Sequence, residues 1–457
     1  MYHFIAERVL APALDAARGT RTMKCLAELN ESQWWPPDKI RELQNRRLIE
    51  LVSYAYENIP YYRELFKARS LKPSDITSIA DLPKLPLLTK NIVRENPEDI
   101  ISRNYPAKLR VSMFTGGSTG EPLTFFRTRD DQQNWGYAAA ERSHSWTGYR
   151  IGDKRVLISV LRPYPSAGDR IYQNGRNFFK RAIHLDAKKL SVQTLPGYVD
   201  KLQKFQPRLI HGYASALEMI ANYIEGKPGL KIRPVAIICG GEQLYSRQRE
   251  IIERVFACRV FRYYSSWEVH SIAAECGEHS GLHIAAENVI VEIVDDDGNP
   301  VHNGTTGRIL LTNLHNFAMP FIRYEIGDKG TLGNAACACG RGLPLLTSLE
   351  GRSSDIIITR SGKRIPGAAL IHIFREPMGI ARFQLVQESL DLLIINMVPE
   401  SEYPREHLDR VAESIANKYR ALLGSDIRIS TRFVDDIAST TDGKRKFIIS
   451  KIPLDAV

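Results

Sequence analysis

The chain has 457 residues, 43% hydrophobic and 25% charged, which is too apolar for a disordered protein and enough for more than one core. Its formal net charge of +10 favours anionic partners, yet the basic groups at 41–47, 201–208 and 444–446 build no aromatic-interleaved stripe, so nucleic acid is not expected. Six cysteines are too few for a disulfide-built scaffold, and no apolar run approaches the roughly 20 residues that span a bilayer, so the reading is a cytoplasmic enzyme.

In chain order, residues 4–14 pattern as a short amphipathic helix near Arg8 and Arg18. Such a segment can rest on an anionic membrane but more often packs on its own domain, so membrane contact is not expected. From 37 to 58, Ile40, Leu43, Leu48, Leu51 and Ala55 recur at helix spacing until Pro60, giving a helical lead-in over 1–110. Apolar runs at 155–160, 208–213, 235–241 and 259–264 then alternate with helix-like stretches, which predicts an α/β core over 111–281 around a largely parallel sheet. Strand-like runs joined by turn signals, with a hairpin at Asp297-Gly298-Asn299, predict a small β subdomain over 282–351. After a short polar linker, 352–457 carries strands at 355–362, ARFQLVQ and DLLIINMV, a helix from 405 to 423, the strand DIRISTRFV and a closing basic loop. That is a compact α+β domain of ordinary size. The fold class is therefore α/β, a large layered region followed by a small α+β domain.

TGGSTGEP (115–122) sits between two strand-like runs as a glycine loop. Successive backbone N–H groups in such a loop form an anion nest, and the hydroxyls of Ser118 and Thr119 add donors. It is no Walker loop, because Glu-Pro follows Gly120 where Lys-Ser/Thr would stand, and no GxGxxG pattern is present. A second constellation is Cys276 with His279 and His283 behind it, then Cys337 and Cys339 in CACGRGLP. Thiolates and imidazoles at such spacings can complete a tetrahedral zinc site if the fold joins them. The chosen ligands are Cys276, His283, Cys337 and Cys339, with His279 as the substitute. Cys239 and Cys258 lie in apolar runs and read as buried small hydrophobes.

Six pieces in order then carry a resemblance. TGGSTGEP, GGEQL (240–244), YSSWEV (264–269), RYEIGD (323–328), LEGRSSD (349–355) and DGKRKF (442–447), with IPYYRELF (59–66) and LPLLTK (85–90) ahead of them, resemble the adenylate-forming superfamily of acyl-CoA synthetases. The branch they resemble is that of phenylacetate-CoA ligase and CapK-like proteins. The resemblance implies a large adenylation domain over 1–351 and a mobile C-terminal domain over 352–457. It also implies ATP- and Mg²⁺-dependent activation of a carboxylic acid to its acyl-adenylate, with pyrophosphate release.

On that resemblance Thr115, Gly116, Gly117, Ser118, Thr119 and Gly120 grip the phosphates, Gly241 and Glu242 lie beside the adenine, and Tyr264 and Ser265 belong to the nucleotide site. Glu268 takes Mg²⁺, Asp328 accepts from the ribose hydroxyls, and Lys444 bridges substrate carboxylate and α-phosphate. Arg352 clamps the nucleotide or forms an ordinary ion pair at the hinge. Relatives rotate the terminal domain there after adenylation; Ser354 stands at the usual acidic hinge position. Trp267 departs from the family pattern and either stacks on an aryl acid or fills core. Tyr137, Tyr213 and Trp135 complete the expected walls of the acyl pocket. Some relatives carry a structural zinc at positions matching the Cys/His set. The acceptor is coenzyme A, or an amine or hydroxyl in the CapK-like reading; an inactive nucleotide- or zinc-binding scaffold is the remaining alternative, and a homodimer is left open.

Overall fold

The computed structural model describes residues 2–114, 123–159, 175, 177–190, 194–227, 229–244, 246–350, 356–366, 370, 373, 379–400, 403–424, 426–437 and 448–452. Contacts divide the chain into two compact units. The larger comprises Met1–Met113, Thr124–Asp186 and Pro196–Gly351, and the smaller is built mainly from Arg352–Val457.

In the larger unit the helix Pro37–Asn58 forms where its apolar spacing predicts, and Ile40, Leu43, Leu48, Leu51 and Ala55 are all buried. Pro60 then starts a second helix, Pro60–Ala68, at a position where its missing N–H costs nothing. Tyr62 and Phe66 of that helix join Leu48, Leu51 and Val52 in a core that also holds Ile290, Leu314 and Ile322. The helical lead-in is thus packed on the antiparallel part of the sheet and is no separate layer.

A two-stranded ribbon, β1 (Arg110–Phe114) and β2 (Thr124–Thr128), precedes the main sheet. The parallel strands are β3 (Arg155–Ser159), β4 (Ala182–Asp186), β5 (Leu209–Gly212), β6 (Ala236–Gly240) and β7 (Arg259–Ser266). The antiparallel ones are β8 (His270–Glu275), β9 (Leu282–Ile284), β10 (Val289–Val294), β11 (Thr306–Asn313), β12 (Tyr324–Leu332) and β13 (Leu345–Glu350). The expected antiparallel texture of 282–351 is present, but its strands continue the parallel sheet. All eleven run in the order β10-β11-β12-β13-β9-β8-β7-β6-β5-β3-β4. The joint is the tight turn after β7, which reverses the chain so that Tyr264 faces Ala273 and Ser266 faces His270. His270 takes a left-handed φ of 73° there, a conformation that a β-carbon makes costly away from strongly determined sites.

In the smaller unit β14 (Ile356–Ile358) and β15 (Arg364–Pro366) form a hairpin. β16 (Ile380–Ser389), β17 (Leu392–Pro399), β18 (Arg428–Phe433) and β19 (Ile448–Ser450) make a sheet in the order β18-β17-β16-β19. The helix Arg405–Leu423 covers it with Ala412, Ile415, Ala416, Tyr419 and Leu423. Each such Leu or Ile contributes about 1.5–3 kcal/mol by leaving water. β19 is not foreseen from the sequence. Three residues carry no readable period, and only pairing with β16 makes them a strand.

Candidate active site

In a parallel sheet, ligands are received outside the carboxyl ends of the strands. Here those ends bring together Gly212, Gly240 and the turn that follows β7. Gly241, the first residue past β6, has a φ of 78°, and a β-carbon on it would lie 2.8 Å from the Tyr213 ring. Two independent constraints therefore require glycine at the expected adenine turn, and they set Tyr213 against it. Glu242 follows, partly buried. Tyr264 on β7 donates its hydroxyl to Asp328 Oδ2 on β12 at 2.8 Å, so the two residues expected at the nucleotide face each other across the sheet. Ser265 stands next to Tyr264 on the same strand.

Glu268 is 4% exposed, which removes the reading of a solvated surface carboxylate. Its Oε1 accepts from the Tyr324 hydroxyl at 2.9 Å, and Lys90 Nζ lies 3.9 Å from the same oxygen. Lys90 gets there because Leu88 bridges Tyr324 in parallel: Leu88 N–H donates to Arg323 O at 3.0 Å and Glu325 N–H to Leu88 O at 2.9 Å. The segment LPLLTK is thus strapped alongside RYEIGD, and the carboxylate sits between a phenol and an ammonium. That setting can hand a divalent cation one well-held oxygen.

Behind the turn lies a support that sequence reasoning missed. Arg127, wholly buried, pairs with Asp131 at 2.6 Å and donates to the Trp267 and Val269 carbonyls at 3.4 and 3.5 Å. Asn313 joins Asp131 at 3.2 Å and reaches the Glu268 carbonyl at 3.5 Å. An i,i+4 Arg/Asp pair was visible in the sequence, but nothing in it pointed to the carbonyls it would hold. Removing one partner of a buried pair leaves an uncompensated charge, so Asp131→Ala is expected to cost about 3–5 kcal/mol. Urea titration checks this; a loss below about 1 kcal/mol would show the pair is dispensable.

Of the expected pocket walls, Trp267 is 47% exposed and so does not fill core. Tyr137 packs edge-on against His270 with centroids 5.4 Å apart. Trp135 is a correction: it is buried, stacked on His315 at 4.3 Å with Arg47 over its face, because the helix carrying it packs on Thr22–Ser32. Missed by the sequence reading, His211 stands one residue before the end of β5 with its ring 5.4 Å from His144 and 5.3 Å from Tyr263. Burial lowers the pKa of His144 to about 4 and of His211 well below its usual value, so both are neutral imidazoles near pH 7. The loop 115–122, Arg352 and Lys444 lie outside the described residues.

The cysteine–histidine set does converge. The ligand atoms of Cys276, His283, Cys337 and Cys339 all lie within 4.8 Å of one another. Cys276 Sγ and Cys337 Sγ are 3.7 Å apart, and tetrahedral zinc with bonds of about 2.3 Å spaces two sulfurs by about 3.8 Å. Cys339 Sγ is 3.3 Å from His283 Nε2, while His283 Nδ1 is 3.4 Å from the Leu343 carbonyl. Donation from Nδ1 to that carbonyl leaves Nε2 as the lone-pair nitrogen facing the sulfurs, the usual outer support of a metal histidine. His279 is no substitute: it pairs with Glu275 at 3.2 Å and lies against Phe261. The donor set therefore fits zinc.

The CapK C-terminal domain model matches residues 357–451. Protein CapK of Staphylococcus aureus is 27% identical over 419 residues, covering 90% of this chain and 89% of that protein. The phenylacetate-coenzyme A ligase of Thermus thermophilus is 26% identical over 373 residues, 78% of this chain and 80% of that enzyme. A crystal structure of 2-hydroxyisobutyryl-CoA ligase with 2-HIB-AMP and CoA superposes with a TM-score of 0.66 at 21% identity, covering 92% of each chain. That likeness establishes the fold.

Proposed function

We propose that this chain, a homologue of CapK and the phenylacetate-CoA ligases with the fold of the adenylate-forming CoA ligases, uses ATP and Mg²⁺ to activate a carboxylic acid as its acyl-adenylate, releases pyrophosphate, and passes the acyl group to coenzyme A. The observation that carries this is the gathering, at the carboxyl ends of the parallel strands, of buried Glu268, the Tyr264–Asp328 pair and left-handed Gly241. Attack of a carboxylate on the α-phosphorus brings two anions together, so fixed positive charge must be supplied where charge accumulates. Glu268 would hold the magnesium that shields the triphosphate. Asp328 would accept from the ribose hydroxyls, the 115–120 loop would donate to phosphate oxygens, and Lys444 would bridge carboxylate and α-phosphate. Tyr137, Tyr213 and Trp267 would border the acyl group, with Arg352 at the nucleotide.

The second reading keeps the adenylate and replaces coenzyme A by an amine or hydroxyl acceptor. It is favoured by the CapK likeness along 90% of the chain together with the CapK C-terminal domain match. An inactive scaffold would have no need of a buried, phenol-held carboxylate beside a ribose-type Asp.

Pyrophosphate release from ATP and Mg²⁺ across a panel of aryl, fatty and hydroxy acids, with and without coenzyme A, tests the proposal. No acid-dependent release would sink it, and release without thioester formation would transfer preference to the second reading. In the same assay Glu268→Gln is expected to lower release about 100-fold and to raise the Mg²⁺ concentration for half-maximal rate. An unchanged magnesium requirement would remove Glu268 from that role.

The zinc assignment at Cys276, His283, Cys337 and Cys339 is likewise proposed, as a structural centre with four protein ligands and no open position.

A further inference from the structure

The first helix has an outer face that the described residues of the larger unit do not cover. It runs as α over Tyr2–Ile5, widens to a π turn over Ala6–Leu10, returns to α over Ala11–Arg18 and stops at Gly19, whose φ is 61°. Its inner side is fixed. Ala6 and Tyr2 lie so close to Gly152 that a β-carbon there would be 2.8 Å from Ala6 Cβ, and the Tyr2 hydroxyl donates to the Phe179 carbonyl at 2.9 Å. His3 reaches Asp153 at 3.5 Å.

The opposite side carries Phe4, 68% exposed, and Val9, 53% exposed, with Ile5, Ala13, Ala16 and Ala17 also exposed. Because Tyr2 is tied to Phe179, the segment 177–181 abuts the helix start and adds Phe178, 79% exposed, and Phe179. Isolated exposed apolar residues need no explanation; a cluster drawn from two segments held together does.

Charge around the helix is predominantly positive. Arg8 and Arg150 are exposed, Arg181 stacks 4.9 Å over the Tyr2 ring with Lys180 beside it, and Arg208 pairs with Asp153. Against these five cations stand exposed Glu7, Asp15 of the same helix, which accepts from Thr20 Oγ1 at 2.6 Å and from Met23 N–H at 2.7 Å, and Asp153, which is buried and already shared between His3 and Arg208. An apolar stripe rimmed by Arg and Lys is the composition that lies in the interface of an anionic bilayer, where aromatic side chains enter the headgroup boundary and the cations meet lipid phosphates. None of the described helices is long and apolar enough to cross a membrane, so attachment would be peripheral.

We propose that the outer face of the first helix, with Phe178 and Phe179, docks the protein on an anionic membrane surface. Membrane contact is not the expectation from sequence, since amphipathic segments usually pack their apolar side inward. Here the inward side is Tyr2 and Ala6, and the larger apolar side points out.

Co-sedimentation of the full chain with phosphatidylcholine vesicles, and with vesicles also containing about a third phosphatidylglycerol, tests this. Binding to the anionic vesicles should exceed that to the neutral ones at least tenfold and should fall in 0.5 M salt, as screening at a Debye length of about 3–5 Å requires. The double variant Phe4→Ser/Phe178→Ser and the single variant Arg8→Glu should each lower it about tenfold, while Ile49→Ser, on an exposed site of the Pro37–Asn58 helix, should not. Circular dichroism checks that the variants fold. Equal binding to both vesicle types, equal loss in Ile49→Ser, or wild type left in the supernatant overturns the proposal. So does light scattering that finds a dimer broken to monomer by Phe4→Ser/Phe178→Ser with no vesicle binding, which would make the face a contact between two copies.

Discussion

Lys444→Ala is expected to lower acid-dependent pyrophosphate release about 100- to 1000-fold, the cost of removing one fixed charge-stabilising group from a transition state. The segment DGKRKF lies outside the described residues, so the expectation rests on its place behind Gly443 in the C-terminal unit and on the chemistry. The carboxylate and the α-phosphate are both anionic, and a flexible point charge can neutralise them together. Transfer from a chemically prepared adenylate needs no such bridge and should be nearly unchanged in the variant. Equal loss in both half-reactions would mean that Lys444 acts on the fold or on a later step. Lys446→Ala serves as the control for general loss of positive charge.

The second large effect concerns the cysteine–histidine centre. Protein purified without added metal should carry about one zinc per chain, and Cys337→Ser should reduce this several-fold with a marked fall in thermal stability. A site saturated a thousandfold above its dissociation constant contributes about 4 kcal/mol. The pH dependence follows from the ligands. Burial pushes the Cys276 thiol up to about 12 and the His283 imidazole down to about 4. Near pH 7 the histidine is therefore already neutral, whereas the thiol must lose its proton to bind. Zinc affinity should then weaken as pH falls from 8 to 6, by about tenfold per unit for each proton released. Zinc near zero in the wild type, unchanged by Cys337→Ser, would remove the site. The centre joins the loop after β8 to the loop before β13 and to β9, all in one unit, so its loss should disturb that part of the sheet before it disturbs Glu268.

Much of this protein was legible as sequence because local period and short motifs carry it. The helix 37–58, the parallel strands and the strand pair of the C-terminal unit follow from apolar spacing that one segment displays by itself. The four metal-type ligands could be chosen by residue type, and glycine at 241 by its turn. What could not be read is whatever depends on which distant segments meet. Continuity of β7 with β8 makes one sheet of what composition divides into two. The strap between Leu88 and Tyr324 delivers Lys90 to Glu268, 178 residues further along the chain, and buried Arg127 holds the Glu268 turn. Trp135 and Trp267 are alike in sequence, yet packing on a neighbouring helix buries the first and a tight turn exposes the second. The reaction class proposed here was implied by the resemblance that six ordered motifs carry. Tertiary structure decided which side chains stand around Glu268, because long-range contacts leave no period in the chain.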